Sequence, residues 1–341
     1  MHAKTRRLLP NGCVLATLLL IAISLWYFTQ PNKMKSKQST SVTRRCWYRI
    51  QGGPPLATPK VYDRVQTLLM FIGYPRSGHT LVGSLIDAHP NAIIANELDI
   101  IGSWLEWNED NRNKYFLFDQ LYKNSHEQAI KGYRSRFNEY VMQQLFNYSV
   151  FRQWQGKFKD APKVIGDKHG PATTLWLTMR IYGRPTFEQI KAKVNAKVKF
   201  IHVIRNPFDN ISTMLIRTKK LRHDIERSKG KINDTESLEF EILRYFNLAA
   251  GNEVLIEKWR ENILEIHSKD LISKPRDTIR RVCNFLDLTC SKQYLDDCAS
   301  IVYKKPSKTR FRVLWTDKQK QRTLQAIRRF AFLKGYTFES L

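Results

Sequence analysis

Acidic residues are scarce in this chain: 31 Asp and Glu stand against 57 Lys and Arg, a formal net charge of +26 over 341 residues. The first 50 residues contain no acidic residue, and the rest still carries a basic excess. This imbalance indicates an anionic partner, which leaves nucleic acid, an acidic membrane surface, a polyanionic glycan and a phosphorylated cofactor open. Hydrophobic residues make up 42% of the chain, which excludes a mainly disordered or collagen-like protein.

Cysteine is also scarce, with 5 in the chain, and no pair has the C-x-x-C spacing of a structural zinc site. No His, Asp and Glu cluster has ligand spacing either, so we expect no metal. Cys283, Cys290 and Cys298 lie close together near the C-terminus, whereas Cys46 lies far from them. The clustering predicts one local disulfide, for which we expect Cys290–Cys298, with a buried free thiol as an equal alternative for Cys283.

A long hydrophobic run, Val14 to Phe28, lies near the N-terminus. Residues 8–30 are long enough to span a bilayer, and no small-x-small cleavage site follows, which favours a signal anchor over a cleaved signal peptide. A short basic tail cannot hold a domain, so we expect a single-pass type II protein with its bulk in the lumen. The predicted organisation is a cytoplasmic tail at 1–7, the anchor at 8–30, a stem at 31–62 and a catalytic domain at 63–341. Sequons at Asn147 and Asn233 fit a secretory glycoprotein.

A phosphate-binding loop is indicated between a buried strand and a helix. Leu68 to Ile72 is a short continuous apolar run, typical of a strand in a parallel sheet. Residues 73–80 then read Gly-Tyr-Pro-Arg-Ser-Gly-His-Thr, a G-x-x-x-x-G loop in which His79 stands where an ATPase carries lysine. Backbone N–H groups at the helix start would hold a phosphate, with Arg76 adding charge and Ser77 and Thr80 adding hydroxyls. A tight turn without a ligand is the alternative.

A second anion site is indicated after another buried strand, Val198 to Ile204. This strand ends at Arg205, and a helix begins near Pro207. A phosphate-transfer ATPase would need an acidic residue at a strand end to hold Mg²⁺, so the arginine favours an anion site over a metal site. A surface arginine that begins an ordinary helix is the alternative. Two such pockets suit a nucleotide phosphorylated at both ends of its ribose, in an α/β, P-loop-like three-layer fold whose central parallel sheet is flanked by helices.

These two motifs, residues 74–81 and Arg205-Asn206-Pro207, resemble those of the sulfotransferases that use 3′-phosphoadenosine 5′-phosphosulfate (PAPS). The arginine at 76 is similar to that of the membrane-anchored Golgi enzymes that act on carbohydrates or protein tyrosine. The resemblance implies PAPS as the sulfuryl donor, with Arg76 at the 5′-phosphosulfate, Arg205 at the 3′-phosphate, and Ser212 or Thr213 beside it. The cofactor-binding residues implied in the loop are Tyr74, Pro75, Arg76, Ser77, Gly78, His79 and Thr80.

Two further segments resemble the same family. Residues 166–171, Gly-Asp-Lys-His-Gly-Pro, follow a short strand at 163–165, and the resemblance implies that Lys168 approaches the sulfuryl group. Residues 307–316 resemble the segment that closes over the cofactor, which implies Ser307 and Arg310 as phosphate contacts; a solvated basic turn is the alternative.

The general base implied by the tyrosylprotein branch is Glu97, which lies just beyond a short strand at 92–95 that we expect beside the strand of the phosphate loop. A carboxylate or histidine is the usual base for a hydroxyl acceptor, so Asp99 and His169 are second choices. A plain helix N-terminal acid is the alternative for Glu97. The predicted catalytic residues are thus Arg76, Glu97 and Lys168.

The expected function is sulfuryl transfer from PAPS to a glycan hydroxyl, or second to protein tyrosine, in the Golgi lumen. The expected partners are the anionic nucleotide donor, a glycan or acidic protein acceptor and the membrane, with a homodimer possible and no nucleic acid. A basic stretch from Lys219 to Lys231 could receive an acidic acceptor or be a solvated loop, and Trp104, Trp107 and Tyr115 could stack on sugars or lie in the core. A lumenal kinase using ATP and Mg²⁺, and a non-catalytic binder of polyanions or glycans, are the alternatives.

Overall fold

The computed structural model describes residues 59–132, 147–218 and 231–340, and these belong to one compact unit that extends from Pro54 to Leu341. Its centre is a parallel sheet of five strands in the order β2-β3-β1-β4-β5. The strands are β1 (Thr67–Gly73), β2 (Ala92–Asn96), β3 (Val164–Lys168), β4 (Lys197–Ile204) and β5 (Ile263–His267).

Helices cover both faces of the sheet, because alternate residues of each strand point to opposite sides. Leu69 and Phe71 of β1 pack into one apolar cluster, while Leu68 and Met70 pack into another. The described chain therefore has the expected three-layer α/β architecture. Its helices are α1 (His79–Asp87), α2 (Ile100–Glu106), α3 (Lys114–Ile130), α4 (Gly170–Thr178), α5 (Gly183–Val194), α6 (Pro207–Thr218), α7 (Thr235–Trp259), α8 (Ser268–Ser273), α9 (Pro275–Phe285), α10 (Lys292–Ser300) and α11 (Asp317–Ile327).

One predicted strand neighbour is wrong. The sequence placed the strand at 92–95 beside the strand of the phosphate loop, but β3 lies between β2 and β1. Met70 of β1 pairs with Asp167, and Asn96 of β2 pairs with Lys168. The strand predicted at 163–165 is also shifted, since β3 continues through Lys168 and so carries that residue on its last position.

The predicted disulfide is also wrong. The structure joins Cys283 to Cys290, with their Cα atoms 6.1 Å apart, and leaves Cys298 as a buried free thiol. Cys298 lies on the inner side of α10, where its Sγ contacts the carbonyl oxygen of Leu85 at 3.8 Å. Cys283 lies in the last turn of α9, and the chain turns after this helix so that Cys290 returns to it. Cys46 lies outside the described residues.

The predicted tail and anchor, 1–7 and 8–30, lie outside the described residues, as do most of the stem and positions 219–230 of the basic stretch. No helix within residues 59–132, 147–218 and 231–340 has the length and apolar character needed to cross a membrane. A short 3₁₀ helix, Pro59–Arg64, precedes β1. Its Tyr62, which the sequence assigned to the stem, is buried against Phe118.

Candidate active site

The predicted site residues lie where four neighbouring strands end. The carboxyl ends of parallel strands meet at one edge of a sheet, which is the usual ligand site of open α/β folds. Here β1 leads into the phosphate loop, β4 into Arg205, β2 into Glu97, and β3 ends at Lys168. The fold thus brings together the residues that the sequence motifs singled out separately.

The phosphate loop presents an open helix N-terminus. Gly78 is the N-cap of α1 with φ 99°, and no side chain accepts a hydrogen bond at this cap. The backbone N–H groups of the first turn are therefore suited to an anion. Arg76 has φ 66°, a strained conformation for a residue with a side chain. Asn210 Nδ2 donates to the carbonyl oxygen of Pro75 at 2.7 Å and so fixes the loop to α6.

Tyr74 does not face this site. Its side chain is fully buried, and its ring stacks on Tyr245 with 4.2 Å between ring centroids. Any contact between Tyr74 and a cofactor would have to come from its backbone. The sequence grouped it with the loop because the motif runs through it without interruption.

Arg76 and His79 have pKa values that are lowered by their surroundings. Burial, followed by the charge of Arg217, lowers the pKa of Arg76 to about 10, so the guanidinium stays charged at neutral pH. Burial, followed by the charge of Lys168, lowers the pKa of His79 to about 3, so the imidazole is neutral. Ser77 Oγ lies 3.1 Å from His79 Nδ1, and both side chains are buried. Thr80, at the second position of α1, is partly exposed.

Glu97 and Lys168 form a close ion pair. Lys168 Nζ donates to Glu97 Oε1 at 2.8 Å, and the lysine side chain is almost completely buried. Its stem packs against α1, where a Cβ added to Gly83 would lie 3.0 Å from Lys168 Cγ. Burial alone would raise the pKa of Glu97, but the charge of Lys168 holds that pKa well below its usual range. Burial lowers the pKa of Lys168, and the Glu97 carboxylate opposes this effect.

The turn that carries Glu97 is held by Asp167, a residue whose role the sequence did not single out. Glu97 and Asp99 both have positive φ, 61° and 62°. The Asp167 carboxylate accepts hydrogen bonds from the backbone N–H groups of Leu98, at 3.0 Å, and Asp99, at 2.8 Å. Burial raises the pKa of Asp167 to about 7. These hydrogen bonds hold the strained turn in place. In the sequence, the only indication of this role was that Asp167 directly precedes Lys168.

The second-choice bases are placed differently. Asp99 caps α2 by accepting from the N–H of Gly102, and its Oδ1 also accepts from Trp176 Nε1 at 3.0 Å. His169 Nδ1 lies 3.9 Å from the same oxygen and is buried. These contacts assign both residues to the support of α2 and α4.

Arg205 is the centre of a second polar cluster. Its Nη1 donates to Thr213 Oγ1 at 2.9 Å and to the carbonyl oxygen of Arg76 at 3.4 Å. Its Nη2 donates to the carbonyl oxygen of Ser307 at 2.6 Å and to Thr309 Oγ1 at 3.3 Å. Thr309 is an addition to the predicted set, and its signal was its place between Ser307 and Arg310 in the closing segment.

The structure separates Ser212 from Thr213. Thr213 Oγ1 lies in the Arg205 cluster, whereas Ser212 Oγ is buried and accepts from Trp315 Nε1 at 3.0 Å. Arg310 is also fully buried, in an ion pair with Asp209 at 3.1 Å. Its Nη2 donates to the carbonyl oxygen of Ser340. This geometry favours a structural role for Ser212 and Arg310, and a phosphate contact by either remains a prediction.

Within the described ranges, no group of three or more His, Cys, Asp or Glu side chains could hold a metal ion. Of the aromatic residues considered for sugar stacking, Trp104 is buried in the core and Trp107 packs against Phe116. Tyr115 donates to Asp63 at 2.9 Å on the protein surface. The contacts favour the core interpretation for Trp104 and Trp107, whereas Tyr115 lies on the surface.

Comparison with known proteins identifies the class. The model of the sulfotransferase family matches residues 69–292, which include both phosphate motifs and Lys168. This chain belongs to the sulfotransferase family. It is a transferase of that class with a P-loop-like fold.

Two relatives of this chain carry tyrosine sulfotransferase names. A Caenorhabditis briggsae protein named as a protein-tyrosine sulfotransferase is 24% identical over 229 residues, covering 67% of this chain and 68% of that protein. Protein-tyrosine sulfotransferase 1 of Danio rerio is 25% identical over 117 residues, covering 32% of this chain and 33% of that protein.

Solved structures show only a distant likeness. The sulfotransferase domain from the curacin biosynthetic pathway has a TM-score of 0.45 and 13% identity, covering 78% of this chain and 98% of that domain. A sulfotransferase from Mycobacterium avium has a TM-score of 0.43 and 12% identity, covering 84% of this chain and 81% of that protein.

Proposed function

We propose that this protein transfers a sulfuryl group from PAPS to the hydroxyl of a tyrosine in an acidic protein acceptor. The observation that carries the proposal is the Glu97–Lys168 pair beside the phosphate loop. Both named relatives are protein-tyrosine sulfotransferases, which supports tyrosine over a sugar as the acceptor.

The residues present fit a nucleotide with phosphates at both ends of its ribose. The open N-terminus of α1, with Arg76 and the hydroxyls of Ser77 and Thr80, suits the 5′ end. The cluster of Arg205, Thr213 and Thr309 suits the 3′-phosphate. Bound PAPS would supply a sulfuryl group attached to a phosphate leaving group.

Glu97 and Lys168 have complementary roles in the proposed reaction. Glu97 is held as a carboxylate at neutral pH, so it can accept the proton of an acceptor hydroxyl. A phenol loses its proton far more readily than a sugar hydroxyl, so a carboxylate with a lowered pKa suits tyrosine better. Lys168 and Arg76 supply positive charge where the sulfuryl oxygens and the leaving phosphate carry negative charge.

The positive charge of the chain favours an acidic acceptor. Trp104 is buried in the core and Trp107 packs against Phe116, which weakens the proposal that these two rings stack on a sugar. We further propose that residues 8–30 anchor the protein in the Golgi membrane with the catalytic domain in the lumen. The length of the apolar run supports a membrane anchor, and the short tail before it, which cannot hold a domain, supports a lumenal catalytic domain. Alkaline extraction of membranes and protease protection would test it.

Binding and transfer measurements on the full chain test the proposal. Titration with adenosine 3′,5′-bisphosphate should show much tighter binding than titration with AMP or with ATP and Mg²⁺. A labelled sulfuryl group should pass to a peptide with one tyrosine among aspartates, and not to the same peptide with phenylalanine. Preference for ATP and Mg²⁺ would indicate a kinase, transfer only to an oligosaccharide would indicate a glycan enzyme, and binding without transfer would indicate a non-catalytic protein.

A further inference from the structure

His79 stands at the loop position where phosphate-binding ATPases carry lysine, yet its side chain is turned away from solvent. It is 5% exposed, and its ring lies between Ser77 and the start of α4. A Cβ added to Gly170 would lie 3.4 Å from His79 Nδ1, so the first residue of α4 is in contact range of the ring. A neutral, enclosed imidazole supplies little attraction for a phosphate, which suggests another task.

The surroundings of the ring indicate which nitrogen carries the proton. Nε2 faces the Glu97 carboxylate, with 4.0 Å between Nε2 and Oε1. A nitrogen lone pair in that direction would be repelled by the carboxylate, which favours the tautomer with its proton on Nε2. The Lys168 ammonium also acts on the ring, but it is bonded to the same carboxylate oxygen. Nδ1 then accepts the hydroxyl proton of Ser77 at 3.1 Å. The Ser77 hydroxyl can donate to Nδ1, so this contact fits the tautomer that points an N–H at Glu97.

The Lys168 ammonium and the His79 imidazole both approach the same oxygen of the Glu97 carboxylate. Lys168 Nζ lies 2.8 Å from Oε1, and His79 Nε2 approaches Oε1 as well. Neither of these two contacts uses Oε2. Glu97 is partly exposed, whereas Lys168 and His79 are buried. One carboxylate oxygen is thus held from inside the protein, and the other is left for a ligand.

We propose that His79 is a positioning residue for Glu97, which holds Oε1 from behind so that Oε2 is the atom that takes the acceptor's proton. This inference rests on the proposed sulfuryl transfer. The separation of 4.0 Å is longer than a hydrogen bond, and such contacts commonly shorten when the substrate is bound. When Lys168 moves its charge towards the sulfuryl group, His79 is the donor that remains on Oε1.

In the proposed step, each bond that forms is matched by a bond that breaks. The acceptor O–H bond breaks and an O–H bond forms at Glu97 Oε2, while the acceptor oxygen forms a bond to sulfur. The bond from sulfur to the phosphate oxygen breaks, and its electron pair leaves with the phosphate of the nucleotide. His79 gains and loses no proton and stays neutral throughout.

Three variants test the proposal. His79→Ala removes the N–H donor, whereas His79→Gln keeps an N–H donor near the position of Nε2 without a titratable ring. His89→Gln is the matched control, because His89 is a buried histidine beyond the other end of α1, bonded to the carbonyl oxygen of Thr289. The readouts are kcat and KM for the peptide, the dissociation constant of adenosine 3′,5′-bisphosphate, and the pH at which the acid limb of kcat falls.

We expect His79→Ala to lower kcat by on the order of 10- to 100-fold while the bisphosphate affinity stays close to that of the natural protein. The acid limb of kcat should move to higher pH, because Glu97 loses a group that stabilises its charged form. Three other groups that act on Glu97 or His79, namely Arg76, Lys168 and His169, are unchanged in this variant. His79→Gln should recover most of the lost turnover and return the limb. His89→Gln should change neither kcat nor the pH of the acid limb.

Two results would overturn the proposal. If His79→Ala weakens bisphosphate binding as much as it lowers kcat, or if His79→Gln is as impaired as His79→Ala, His79 does not act by donating to Glu97. Titration of a carbon-13-labelled Glu97 carboxylate by NMR provides a readout that needs no turnover. The pKa of Glu97 should rise in His79→Ala and return in His79→Gln, and an unchanged pKa in His79→Ala would refute the inference. Absence of transfer by the natural protein would instead count against the proposed function.

Discussion

Lys168 Nζ donates to Glu97 Oε1 over 2.8 Å, although the two residues are separated by 71 positions in the chain. The contact exists because β3 lies directly beside β2, with Asn96 paired to Lys168 at the ends of the two strands. A buried lysine and a carboxylate on a strained turn are thereby brought next to the phosphate loop. Within this pair, each group stabilises the charged form of the other.

Replacing Lys168 by methionine should remove transfer and change the charge of Glu97. Without the ammonium group, burial should raise the pKa of Glu97, because the largest opposing charge is gone. We expect kcat to fall by on the order of 100-fold or more, since the cation beside the sulfuryl group is lost. Steady-state kinetics and the pH profile check this. An unchanged kcat in Lys168→Met would assign the lysine to folding alone, and a melting curve controls for loss of structure.

Thr213 and Ser212 form a matched pair on α6. Thr213→Val should lower the affinity for adenosine 3′,5′-bisphosphate by about tenfold, because a hydroxyl beside Arg205 is lost. AMP, which lacks the 3′-phosphate, should bind as before. Ser212→Ala should leave both affinities unchanged and lower the free energy of unfolding by about 1 kcal/mol, through loss of the bond from Trp315. Calorimetric titration and urea unfolding would distinguish the two, and equal losses for both nucleotides in Thr213→Val would contradict the assignment of this cluster to the 3′-phosphate.

How far the sequence predicts the site depends on whether the interacting residues are contiguous. The phosphate loop and Arg205 were found because each motif is a short run at a strand end. The Glu97–Lys168 contact depends on the strand order, which places β3 between β1 and β2, and no local pattern encodes that order. The motif also counted Tyr74 as a ligand residue, because a sequence run carries no information on burial.

The wrong disulfide prediction has the same origin. The position of Cys298 on the inner side of α10 is set by packing against α1, so spacing alone chose the wrong disulfide. Arg310 lies within the closing segment, and its ion pair with the buried Asp209 on α6 favours a structural role, which the local sequence does not indicate. In both cases a long-range contact, invisible in the local sequence, decides where the side chain lies.

The disulfide makes a direct prediction. Peptide mapping without reduction should recover Cys283 linked to Cys290, with Cys298 as a free thiol. Cys283→Ser should lower the free energy of unfolding by about 2.5 kcal/mol, the chain-entropy value for a loop of this length. Cys298→Ser should leave the Cys283–Cys290 link intact. Recovery of a Cys290–Cys298 peptide from the natural protein would contradict the structure.

His202 should make the protein less stable in acid. Burial lowers its pKa to about 3, below the value of a free histidine, so the unfolded chain binds more protons and unfolding becomes easier as the pH falls below about 6.5. Among the residues that the structure describes, neither ring nitrogen has a hydrogen-bond partner. The ring contacts Phe332, so phenylalanine is a suitable replacement. His202→Phe should reduce the loss of unfolding free energy between about pH 7 and about pH 5 by up to about 2 kcal/mol. Urea unfolding at both pH values measures this, and an unchanged pH dependence would show that His202 has the same pKa in the folded and unfolded states.

The role of Glu97 as the base is the central claim, and Glu97→Gln tests it most directly. The amide keeps the size of the side chain and an oxygen for Lys168, but it cannot accept a proton. Transfer of a labelled sulfuryl group from PAPS to the tyrosine peptide should fall by about 100- to 10,000-fold, while the affinity for adenosine 3′,5′-bisphosphate stays close to that of the natural protein. Transfer by Glu97→Gln at the rate of the natural protein would contradict the account.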